Sequence, residues 1–339
     1  MPLNASATDR AVDFTDDTVW AGCPHCENRC SQTHTERENG DEVACTACGH
    51  TFASVVPDTV IARDPDDPVL DADTAARFWW FHSCIHQQWP VPEAWGVKAR
   101  ALHLGTYESA VEMMLHRMAF QSEADIPFYL HRVTINPTAL IDPMVGVDVG
   151  EGFTGFVPPA SITDDGFTVR RYLNAEEHRG AISLAVVPEA IATIQTVALP
   201  VASSIADPDP ALWAAVAYAD TARDAIRAAI PPEVARAEVT ELDKLLGSTP
   251  DAAVLNIAAA MAGAGHAKIT KTTERTYLTG AGERVGDKLR DAVNATSEGN
   301  ATCRGWHETY RRLVAAVVNP DAVMAALASQ PARVPVAPT

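Results

Sequence analysis

Apolar and polar positions change rhythm along the chain. Residues 1–18 are polar and acidic with no period, which predicts a mobile tail. From residue 74 short apolar runs alternate with polar turns. Phe78–Phe81 reads as an aromatic strand ending in His82-Ser83, and Leu102-His103-Leu104 as a second strand stopped by Gly105. Thr106 stands where a helix N-cap belongs. Ala110, Met114 and Met118, with Val111 and Leu115 beside them, give helical spacing over Tyr107 to Phe120. Residues 128–135 alternate as a strand, 137–170 read as irregular, and 181–187 form a run apolar enough to be buried on both faces. Pro188 opens a turn, and Thr193–Leu199 closes the set as a strand. So few helices among these strands predict a mixed, bent sheet and not a doubly wound parallel one. Beyond Pro200 the chain is Ala-rich with helical periodicity over 207–246 and 251–264, broken at Pro231-Pro232 and Pro250. Two more helices are expected over 304–328, split at Asn319-Pro320, with Asp207 and Asp321 as candidate helix starts and an extended end PARVPVAPT.

The predicted class is therefore α+β. Its parts are a tail (1–18), a cysteine module (19–55), a Pro/Asp-rich linker or wrapping segment (56–73), an α+β domain (74–202), a helical domain (203–330) and a tail (331–339).

Composition narrows the function classes. The 339 residues carry 44 acids against 26 bases, a formal charge of -18, which disfavours nucleic acid and anionic membranes as partners. No apolar run is long enough for a membrane span, and the N-terminus lacks the pattern of a secretory signal. Five of the seven cysteines lie between Cys23 and Cys48, which suits a metal site in a reducing, cytoplasmic setting better than a disulfide framework. Arg outnumbers Lys 21 to 5 beside heavy Ala use, the composition of a GC-rich bacterial or phage genome. The single net-basic window, 268–290, is expected to touch an acidic partner or the chain's own acidic N-terminal part.

Cys23-Pro-His-Cys26 is followed eighteen residues later by Cys45-Thr-Ala-Cys48-Gly49. Each Cys-x-x-Cys turn aims two thiolates at one point, and two such turns complete the tetrahedron Zn²⁺ accepts. Cys23, Cys26, Cys45 and Cys48 are thus the expected ligands of a structural zinc, with Cys30, His25, His34 and His50 as spares. The segment resembles a zinc ribbon. Thirteen acids against four arginines in residues 1–70 make protein contact or bracing of the next domain a better role for it than phosphate binding.

Three strings stand out in the middle: Arg77-Phe-Trp-Trp-Phe-His82-Ser-Cys84, Arg100-Ala-Leu-His103-Leu-Gly-Thr106-Tyr107, and Arg171-Tyr172-Leu-Asn174-Ala-Glu176-Glu177 running into AISLAVVPEAIATI. The tract from His82 to Leu199 resembles the ADP-ribosyltransferase-like fold. That resemblance implies NAD as substrate, cleavage of its nicotinamide N-glycosidic bond and transfer of ADP-ribose to an acceptor not specified by the sequence. It implies Glu177, His82 and His103 as catalytic residues and Thr106, Tyr107, Arg100 and Tyr172 around the dinucleotide. Arg171 is a second candidate for the pyrophosphate. Two early histidines compete for one place, and three residues separate Glu177 from its strand. Each residue also has a plain structural reading: His82 and His103 as strand histidines, Thr106 as an N-cap, Glu177 as a solvated loop acid. The alternative function is a non-enzymatic zinc-ribbon adaptor whose central sheet only packs. It predicts His82, His103 and Glu177 scattered around a closed or apolar interior.

Overall fold

The structure is a computed structural model describing residues 7–91, 101–147, 157–231 and 250–335. It is a mixed α+β molecule of small sheets and several helices.

Two hairpins built on the Cys-x-x-Cys turns open the chain. Strands β1 (Val19–Gly22) and β2 (Arg29–Gln32) pair antiparallel, as do β3 (Glu42–Ala44) and β4 (Thr51–Ala53). Between them lies the short helix α1 (His34–Glu38), started by a reciprocal cap between Thr33 and Glu36. The apolar core of this module is only Ala21, Val43 and Phe52 with three cysteines. So small a core cannot hold a fold unaided.

Residues 7–18 differ from the expected tail. Thr8 makes a parallel bridge to Phe78, and Phe14 is buried edge-on against Tyr107, 6.2 Å between ring centroids. Residues 56–73 wrap the body: Val60 and Val69 are buried, and the segment ends in helix α2 (Ala72–Ala75).

The central region holds β5 (Trp80–Cys84), β6 (Leu102–Leu104), helix α3 (Tyr107–Phe120), β7 (Phe128–Ile135), β8 (Ile141–Val147), helix α4 (Ala160–Thr163), β9 (Val169–Leu173), β10 (Ile182–Val186) and β11 (Ile191–Leu199). They form two sheets, β11-β7-β5 and β6-β10-β9-β8. Phe81 and Gly105 exchange backbone hydrogen bonds of 2.9 Å in each direction and join β5 to β6. The sheets thus meet at a two-bond seam and enclose a core of Trp80, Leu104, Val133, Leu184 and Ile194. β8 and β9 run parallel, whereas the other named strand pairs are antiparallel. The expectation of an irregular 137–170 missed β8 and α4: Pro143 and Gly146 interrupt the alternation, and the ladder slips between Ile141 and Val145.

Behind the sheets stand α5 (Pro210–Ala229), α6 (Pro250–Tyr277), α7 (Glu283–Ala295), α8 (Ser297–Ala301), α9 (Cys303–Val318) and α10 (Pro320–Ala328). Asp209, not Asp207, caps α5, its side chain accepting from Leu212 N with Pro210 at the first helical position. Helix α7 begins inside the net-basic window 268–290 and runs past its end. Val285, Leu289, Ala292 and Val293 fall at helical intervals and are fully buried, but six bases nearby mask that stripe in the sequence. The chain then returns to the sheets, where Arg333 and Ile194 exchange backbone hydrogen bonds. No helix among the described residues is long and apolar enough to cross a membrane.

Candidate metal centre and polar cleft

The thiolates of Cys23, Cys26, Cys45 and Cys48 all lie within 4.8 Å of one another, so this cluster could hold a metal ion such as zinc. Sγ of Cys23 and Cys48 are 3.7 Å apart, and those of Cys26 and Cys45 3.6 Å. A tetrahedron with zinc–sulfur bonds of about 2.3 Å has edges of about 3.8 Å. Both turns are built alike. Glu27 N donates to Cys23 O as Gly49 N does to Cys45 O, at 2.8 Å each. Glu27 and Gly49 take left-handed φ angles of 61° and 74°. Cys30 is buried with its thiol 3.5 Å from Asn28 O, outside the cluster. His25 and His50 face each other 5.5 Å apart, and His34 pairs with Asp287 of α7 at 3.6 Å.

A second feature opens at the seam of the two sheets. A cleft of about 390 Å³ is lined by His82 and Ser83 of β5, His103 of β6, Tyr172 of β9, and Asn174 and Glu177 of the β9–β10 loop. Both candidate histidines, Tyr172 and Glu177 therefore share one cavity. His82 Nδ1 lies 2.9 Å from His103 O; a carbonyl only accepts, so Nδ1 carries the proton and Nε2 is the acceptor. Burial lowers the His82 pKa to about 3 and keeps the ring neutral, and Trp89 stacks on it at 4.3 Å. His103 Nδ1 is 2.8 Å from the Tyr172 hydroxyl.

Glu177 is held by a tightly folded loop. Asn174 Oδ1 accepts from Glu176 N and Glu177 N at 2.9 and 3.0 Å. His178 takes a left-handed φ of 47°, and its N–H donates to Glu112 Oε2 at 3.0 Å. Gly180, at φ 80°, sits so close to the wrapping segment that a Cβ would lie 2.5 Å from Ile61 O. Arg179 donates to Ala175 O and Ser54 O at 2.8 Å each and ties the loop to the chain leaving the cysteine module. Burial raises the Glu177 pKa, while Lys288 opposes that shift.

The remaining candidates go elsewhere. Thr106 caps α3, its Oγ1 accepting from Ser109 N at 3.1 Å and lying 3.2 Å from His178 Nδ1. Tyr107 is buried in the core and donates its hydroxyl to Ala316 O at 2.8 Å. Arg171 is consumed by the backbone carbonyls of Val69, Leu70, Asp142 and Pro143. Arg100 lies outside the described residues. Ser83, Asn174 and Ser183 line the cleft without having been singled out for it; Asn174 reads first as a turn former, and a strand serine carries no spacing signal. No protein-family model, curated protein or solved structure matches this chain, so the chemistry of the cleft must be argued from its own side chains.

Proposed function

We propose that the cleft binds the nicotinamide end of NAD, that the protein is an ADP-ribosyltransferase-like enzyme, and that a structural zinc ribbon braces it. The observation that carries this reading is the convergence of His82, His103, Tyr172 and Glu177, from three strands and one loop, on a single open cavity of mixed lining. Its size lies within the range of small-molecule sites, about 300–1,000 Å³. Seven unpaired cysteines suit a reducing, cytoplasmic setting.

Breaking the bond between nicotinamide and ribose C1′ leaves the electron pair on nicotinamide and positive charge on the sugar ring. The Glu177 carboxylate stabilises that charge as it develops. An acceptor nucleophile then bonds to C1′ and gives up its proton to water or to Glu177. His82, with Nε2 as acceptor, takes a hydrogen bond from a ribose hydroxyl and fixes the sugar. Tyr172, oriented by His103, offers a ring against which nicotinamide stacks. Only ionised Glu177 serves this role, so activity falls as pH drops through its raised pKa.

Incubation with labelled NAD tests the reading. Wild type releases nicotinamide, and Glu177→Gln lowers the rate by about 10²–10³-fold, the usual effect of removing one electrostatic stabiliser. A wild-type protein that neither binds nor turns over NAD overturns it. The adaptor alternative expects an apolar or closed interior; the cleft is open and carries His82, His103, Asn174 and Glu177 among its apolar groups, which favours the enzyme.

A further inference from the structure

One face of α3 enters the cleft at four-residue intervals, Ser109, Met113 and Arg117, and Gln121 follows at the C-cap. Residues so spaced form a continuous ridge along a helix. At 1.5 Å per residue, the ridge from Ser109 to Arg117 is about 12 Å long. One end lies at the proposed reaction centre, where the Ser109 hydroxyl is 3.3 Å from Glu177 O. Further along stands Arg117, the single Lys or Arg among the cleft-lining residues, in a chain of net charge -18. Its Nη2 pairs with Glu123 at 2.6 Å, and its guanidinium lies 5.7 Å from the centroid of the Phe128 ring. Its Nε–H is buried and makes no hydrogen bond among the described residues. The pair with Glu123 thus fixes the guanidinium at one corner, in a residue that lines the cavity. Arg171, a candidate from the sequence for the pyrophosphate, has no donor to spare.

We infer that this ridge is the track for the phosphate-bearing part of the substrate, and that Arg117 binds its phosphate. The inference rests on the NAD reading and deepens it: the substrate class is a phosphorylated nicotinamide nucleotide, not the bare nucleoside. The sugar carbon that reacts lies at the Ser109–Glu177 end, and the charged linkage follows the helix towards Gln121. Arg117 supplies the positive charge that the other described cleft-lining residues lack.

Calorimetry on the full chain with nicotinamide riboside, nicotinamide mononucleotide and NAD tests it. Wild type binds the two phosphorylated ligands on the order of ten- to a hundredfold more tightly than the riboside, the range for a charge-assisted contact. That gap narrows with added salt. Arg117→Gln erases the gap while leaving riboside affinity in place, and Arg117→Lys keeps part of it. A gap that survives Arg117→Gln, or three ligands that bind wild type equally, overturns the inference while the NAD reading stands. Failure of wild type to bind any of the three removes both. Should Arg117→Gln fail to fold, inorganic pyrophosphate is tested as a competitor on wild type. It displaces the mononucleotide but not the riboside, and failure to displace the mononucleotide counts against the inference.

Discussion

Three histidines are held neutral inside the protein: burial lowers His82 and His178 to about 3 and His131 to about 2. Each folded pKa lies below the unfolded value near 6.5. Below that value the unfolded chain therefore takes up protons the folded one refuses. Their stabilising effect is complete above pH 6.5 and is lost as pH falls from there towards 3. Glu108 and Glu177, raised by burial, act in the opposite sense as pH falls from their raised pKa to the ordinary carboxylate value. The histidine contribution is isolated by difference. In His131→Gln the loss of stability between pH 6.5 and 5, read from urea unfolding, is shallower than in wild type by up to about 1.4 kcal/mol per pH unit. An unchanged slope would show that His131 is protonated in the folded state. At this scale the sequence was most readable where spacing alone dictates geometry, as in the four cysteines. Tyr107 was misread because a tyrosine beside an N-cap looks the same whether it faces a cavity or, as here, reaches Ala316 across the core. Arg117 flanks the apolar stripe of its helix, seven residues from Ala110 and three from Met114, where a base reads as solvated surface.

Among elements, the join between α3 and α7 depends on one acid. Glu112 is fully buried, accepts from Arg284, and lies 3.0 Å from the Lys288 ammonium, whose pKa burial lowers to about 8. The same carboxylate receives His178 N from the loop of Glu177. Glu112→Gln leaves the buried Arg284 and the partly exposed Lys288 without their carboxylate and costs about 3–5 kcal/mol in chemical denaturation. A loss below about 1 kcal/mol would mean that water reaches Arg284 and Lys288. Helix α7 was the element least visible in the sequence. Its bases were expected to face an acidic partner or the cysteine module, yet Arg284 and Lys288 serve Glu112. The contacts of α7 with the module run instead through its acids, Glu283 to Thr35 at 2.8 Å and Asp287 to His34. The N-terminus of α7 is covered by Asp17, whose carboxylate accepts from Glu283 N and Arg284 N, a cap 266 residues away that no local pattern could disclose. By contrast α3, β7, β10 and the break at Asn319-Pro320 fell where hydrophobic period and proline chemistry put them.

At the scale of the whole molecule, metal and cleft are linked through the backbone. Arg29 of β2 donates to Ala62 O at 2.5 Å and also to Arg63 O. Arg63 N in turn donates to Gly180 O at 2.8 Å, on the loop that carries Glu177. Arg179 makes a second tie to Ser54. The protein is expected to hold one zinc per chain by elemental analysis, and Cys45→Ser to lose it. Stripping the metal removes the binding energy that holds the module folded, on the order of 10–16 kcal/mol in small zinc domains. Amide exchange then accelerates not only in residues 19–55 but also in residues 174–180. Acceleration confined to the module would show that the two ties do not transmit its order. The cleft was foreseeable from sequence only as a set of names. Its assembly depends on the Phe81–Gly105 seam and on the turn at Gly180, both products of long-range packing.

The bridge from Arg333 to Ile194 has a bearing on solubility. β11 is nine residues long and pairs with β7 on one side, so its other flank offers unpaired backbone groups as a template for a strand from another molecule. Arg333 occupies that flank at its middle, and its guanidinium is fastened to Trp89 O. The final described stretch of the chain thus acts as a stopper, and freeing it would invite neighbouring copies to zip together along β11.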